Sequence, residues 1–70
     1  MDRKQYLELC QKNAVYPNSV FLLYDGIKYY PLALKVWFDG RGETKNTAVM
    51  VECASMSRLH CDLRDVDKAE

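Results

Sequence analysis

The stretch Val20-Phe21-Leu22-Leu23-Tyr24-Asp25-Gly26-Ile27-Lys28-Tyr29-Tyr30-Pro31-Leu32-Ala33-Leu34-Lys35-Val36-Trp37-Phe38 decides how this chain folds. Two apolar runs, rich in aromatic and β-branched residues, flank the pair Asp25-Gly26. A type I′ turn needs positive φ at both central residues, and Asp-Gly tolerates it, so the pair marks a β-hairpin. One strand is expected from Val20 to Tyr24 and a longer one from Ile27 as far as Phe38. Along the longer strand the even positions Tyr30, Leu32, Leu34, Val36 and Phe38 are all large and apolar, whereas the odd positions Tyr29, Pro31, Ala33, Lys35 and Trp37 are mixed. Period-two alternation predicts that the even face is buried and the odd face less so. Pro31 has no N–H to give to a ladder, which implies a bulge, an edge position or a break at that point.

Upstream, residues 2–14 read as a helix. Asp2 is a good N-cap and Gln5 completes a capping box three residues later. Tyr6, Leu7, Cys10 and Ala14, with Leu9 at the edge, form the apolar stripe. The helix ends before Pro17, which disfavours helical backbone at Tyr16. Downstream, Asp39-Gly40-Arg41-Gly42-Glu43 is a turn, followed by a third strand over Lys45–Cys53 and a fourth over Arg58–Leu63. A tight turn at Leu63–Val66 drops Val66 onto the core, and the polar tail Asp67–Glu70 is expected to fray.

These elements make an α+β domain spanning residues 1–70, with an N-terminal helix packed on an antiparallel meander of four or five strands over residues 19–66. The meander resembles small SH3-like barrels in its short up-and-down strands, its long bent second strand and its closing Leu-x-x-Val. That likeness makes a closed barrel one expected solution; an open sheet with the helix across one face is the other. The segment from Leu23 to Val49, LYDGIKYYPLALKVWFDGRGETKNTAV, is similar to small uncharacterised proteins of phages and mobile elements of Gram-positive bacteria. The resemblance implies an accessory protein that acts by binding, and it transfers no catalytic or binding residue.

Composition narrows the function classes. Ten basic and ten acidic residues cancel among 70, so the chain as a whole has no pull toward phosphate backbones or anionic lipid. Cys10, Cys53 and Cys61 are an odd number without framework spacing, which reads as free thiols in a reducing compartment. No apolar h-region follows Met1 and no apolar run is long enough to span a bilayer, so the expected location is cytoplasmic.

Chemistry-bearing patterns are sparse. Cys53, His60 and Cys61 lack the paired spacing of a zinc site, and His60 and Cys61 should face opposite sides of a strand. His60 could face Cys53 across the last hairpin, but no oxyanion-hole loop accompanies it. Asp62, Asp65 and Asp67 read as solvated carboxylates. Gly40-x-Gly42 precedes no helix and reads as a hairpin turn, not a phosphate cradle. The expectation is therefore no enzyme, no metal, no cofactor and no small-molecule substrate.

What remains is a binding surface. Tyr29, Lys35 and Trp37 share the odd face of the second strand, with Arg41 at the next turn, and these are anchor types in protein interfaces. The favoured partner is another protein or a second copy of the chain. Because aromatics and bases together also suit stacking of single-stranded nucleic acid, that is the alternative. The bland reading puts Trp37 in the core beneath the helix.

Overall fold

The computed structural model describes residues 1–68; Ala69 and Glu70, the end of the expected fraying tail, lie outside the described residues. Helix α1 spans Arg3–Val15, followed by strands β1 (Leu22–Tyr24), β2 (Ile27–Phe38), β3 (Thr44–Glu52) and β4 (Arg58–Asp62), a 3₁₀ turn at Leu63–Asp65, and a short β5 (Asp67–Lys68). The strands form one antiparallel sheet in the order β4-β3-β2-β1-β5, with α1 packed on one face.

The sheet is open. Closing it into an SH3-like barrel would require β4 to bond to β5, and these strands occupy opposite edges. With β1 only three residues long and β5 only two, that side of the sheet is too short to curl round to β4. Asp67 and Lys68, expected to fray, instead pair with Leu23 and Leu22.

Local signals place most elements. Asp2 caps α1: its side chain accepts from the Gln5 amide at 2.7 Å, and Gln5 returns a bond to the Asp2 amide at 3.3 Å. Asp25 and Gly26 take φ of 53° and 76°, the two positive values a type I′ turn requires. The stripe of α1 that meets the sheet is Tyr6, Leu9, Cys10 and Asn13, a helical i, i+3, i+4, i+7 row. Leu7 and Ala14, expected in the stripe, are exposed because they lie together on one flank, about 100° round the helix from that row.

β2 breaks its alternation at Pro31. Pro31 is paired with Met50 and Ala33 with Val49, so Leu32 is an extra residue in the ladder. One extra residue reverses which parity faces the core. Before it, Tyr29 and Pro31 lie under the helix; after it, the row continues as Leu34, Val36 and Phe38, opposite Ala48, Asn46 and Thr44. The even face is thus not a buried face. Tyr30 and Leu34 are half-buried, and Leu32, Val36 and Phe38 are exposed.

The core is compact. Tyr6, Leu22, Tyr29, Ala48, Met50, Cys61, Leu63 and Val66 form one cluster, with Met1, Leu9, Cys10, Tyr24, Leu34 and Leu59 packed around it. Tyr6 is fully buried, and its hydroxyl donates to the Val49 carbonyl at 2.8 Å, opposite the bulge. Burial and the neighbouring Cys10 thiol push the Tyr6 phenol well above the ordinary tyrosine range. Asn13 donates to the Pro31 carbonyl at 3.3 Å, and Arg3 to the Asn46 side chain at 3.1 Å. The helix therefore reaches along the sheet from Pro31 to Asn46. Past Leu34 and Ala48, which still pack in the core, the β2–β3 hairpin runs on as an arm, with Arg3 of the helix reaching Asn46 at its root.

Candidate functional site

The structure separates the residues that the sequence groups together. Tyr29 is buried in the core on the helix side, where Leu22 opposes it. Lys35 and Trp37 lie beyond the bulge on the opposite face of the sheet, the one α1 leaves open. Trp37 is accordingly neither beneath the helix nor part of the core cluster. It is 47% exposed, and its indole N–H donates to the Thr47 hydroxyl at 3.0 Å. Arg41 sits at the tip of the arm, its amide held by the Asp39 carboxylate at 2.7 Å. Lys35, Trp37 and Arg41 are thus kept together on the arm, and Tyr29 is removed from the group.

Residues assigned to the core by alternation join the surface instead. Phe38 is 71% exposed and Val36 47%, both on the helix side of the arm, Val36 level with Asn46 at the helix end and Phe38 beyond it. The signal that could have found them is Pro31 itself: a bulge at that point makes alternation unusable downstream of it.

The arm is held stiffly at its root and tip. Pairing of β2 with β3 continues without interruption from Ala33–Val49 to Phe38–Thr44. The turn is closed by an Asp39 amide bond to the Glu43 carbonyl at 3.2 Å, with Gly40 and Gly42 at φ of 87° and 84° supplying the reversals. Lys45 lies 3.1 Å from Glu43 and 3.9 Å from Asp39, joining both sides of the turn.

One edge of this arm is bare. β1 pairs with Ile27, Lys28 and Tyr29 and then stops. Continuing the ladder would next engage Pro31, which has no N–H to offer. From Ala33 to Phe38, β2 is paired with β3 on one side and with no strand among the described residues on the other.

The open face has its own character. Phe21 packs on Tyr30 with ring centroids 5.4 Å apart, and the Lys28 ammonium lies 5.7 Å above Phe21. Lys28, Lys35, Lys45, Arg58 and His60 all belong to this face by register. Two acids share it by register: Asp67, opposite Leu23, and Asp62, which accepts from Arg64 at 2.9 Å, a bond that holds its carboxyl below the usual range. The acids that balance the chain sit mainly in turns and termini, so a neutral composition conceals a basic face.

The thiols and the imidazole do not converge. Cys61 is in the core and Cys10 half-buried, and burial raises both thiols, away from thiolate character. His60 opposes Val49, four residues of β3 before Cys53, or about 13 Å of strand at ~3.3 Å per residue. The facing arrangement of His60 and Cys53 that the sequence allows is not formed. Compared with protein-family models, curated proteins and solved structures, the chain matches none.

Proposed function

We propose that this chain is a small non-catalytic interaction module, an accessory protein of the phage or mobile-element kind, that binds a protein partner or its own copy through the β2–β3 arm. The observation that supports this most directly is the arm itself. Val36, Trp37 and Phe38, three consecutive large apolar residues, are exposed on a paired hairpin at and beyond the end of the helix. Val36 and Phe38 lie on the arm's helix side and Trp37 on the open face, so each face of the arm offers exposed apolar area, and tryptophan is an enriched interface anchor. Lys35 and Arg41 supply the polar rim.

The test is a comparison of wild type with Trp37→Ala and Phe38→Ser. Association should weaken in both, while far-UV circular dichroism and cooperative unfolding are retained. A photo-crosslinking residue in place of Phe38 should capture the partner, and one in place of exposed Tyr16 on the far side of the molecule should not. Variants that associate like wild type would remove the arm from the interface.

A second reading rests on the open face, where aromatics Phe21, Tyr30 and Trp37 lie among more bases than acids, Lys28, Lys35, Lys45 and Arg58 against Asp62 and Asp67. Such a surface suits single-stranded nucleic acid, with bases stacked on the rings and phosphates against the lysines. Anisotropy of a labelled oligothymidine should then rise at low salt, fall steeply as salt is added and be reduced by Lys35→Glu. Absence of binding at low salt would dismiss this reading.

A further inference from the structure

Resting on the interaction-module reading, we propose that the partner of the arm is a second copy of the chain, joined antiparallel along the bare edge Ala33–Phe38 with Val36 on the two-fold axis. An unpaired edge offers alternating N–H and C=O groups that another edge satisfies, and antiparallel pairing of a strand with itself is self-complementary about a two-fold. The chain carries no net charge to hold two copies apart.

The side chains select the register. Centring the pair on Lys35 would set two ammonium groups directly opposite each other, which is repulsive. Moving the centre to Val36 places Lys35 of one copy opposite Trp37 of the other, twice, on the open face, where cation and indole attract. The same register sets Leu34 opposite Phe38 on the helix side, covering the most exposed large apolar side chain of the arm. The lysine that guards this edge against other strands becomes a contact in this one.

Sedimentation equilibrium of wild type, Val36→Lys and Val36→Asp tests the proposal, because Val36 faces its own counterpart. Wild type should dimerise with concentration. Each variant alone should associate at least about tenfold more weakly, since like charges then oppose. An equimolar mixture should recover a heterodimer, seen by native mass spectrometry. Val36→Cys gives a second readout that a folding defect would not mimic: mild oxidation should link two copies, because directly opposed antiparallel residues lie about 4.5–5.5 Å apart, within disulfide reach. Wild type under the same oxidant is the control for Cys10, Cys53 and Cys61. Variants that dimerise like wild type, or a mixture that stays monomeric, would overturn the proposal. A monomeric wild type whose Phe38 position still cross-links a different protein would overturn the dimer and leave the module reading standing. A monomeric wild type that cross-links nothing there would end both.

Discussion

The Tyr6 hydroxyl and the Val49 carbonyl, 43 residues apart in sequence, meet at 2.8 Å where the sheet carries its extra residue. This bond fastens the helix to the irregular point of the ladder. Tyr6→Phe keeps the ring and leaves that carbonyl without its donor, which should cost about 1–3 kcal/mol in urea unfolding. Tyr6→Ala also opens the centre of the core and should cost about 3–5 kcal/mol.

The same phenol makes the fold sensitive to alkali. An unfolded tyrosine ionises near its ordinary value of 10.0, whereas folded Tyr6 holds its proton to higher pH. Below that value both states are protonated and the contribution is fully present. As pH rises past it, the unfolded chain loses its proton first and stability falls. The Cys10 and Cys61 thiols, also raised by burial from 9.0, act in the same direction and begin earlier. Urea midpoints should therefore decline from about pH 9 upward, and less steeply in Tyr6→Phe, which retains only the other groups. A midpoint that is flat to pH 11 would contradict this.

Position on the arm and position in the core should separate cleanly by mutation. Met50 is fully buried, so Met50→Ala should cost about 2–5 kcal/mol. Trp37 is half-exposed and gives up one hydrogen bond, so Trp37→Ala should cost below about 1.5 kcal/mol in the unassociated protein. Thermal unfolding of both at low concentration checks the order.

Leu32 should be dispensable to the register. Without it, Pro31–Met50 and Ala33–Val49 become successive pairs, and every residue on either side keeps its face. A chain lacking Leu32 should still unfold cooperatively, with a loss of about 1–3 kcal/mol because Tyr6 no longer meets a bulge. The single tryptophan reports the outcome: acrylamide should quench Trp37 as readily as before. Loss of that accessibility would mean that the strand had slipped.

Much of this arrangement is legible in the sequence wherever the signal is local. Asp25-Gly26 names its own turn and Asp2 with Gln5 its own cap, because each rests on bonds within a few residues. The surface was harder to read because it depends on Leu32. Apolar side chains at 32, 34, 36 and 38 continue the alternation unchanged through the bulge, so nothing in their spacing reveals that Tyr29 and Trp37 end on opposite faces. The reach of the helix is a second hidden quantity. Thirteen helical residues span about 20 Å at ~1.5 Å each. Twelve residues of β2 span about 40 Å at ~3.3 Å each. A helix of that length cannot cover a strand twice as long, so Val36 stands at its edge and Phe38 beyond it.

The placement of Val66, fully buried in the same cluster as Tyr6, and of Lys68 beside Leu22 bears on how the chain comes off the ribosome. The helix and the β2–β3–β4 meander can emerge and pair as they are made. The residue that seals the core, Val66, follows Tyr6 by sixty positions, so the domain stays unsealed until Val66 and Lys68 clear the exit tunnel. Until then the edge of β1 and the apolar side of the helix are open to chaperones.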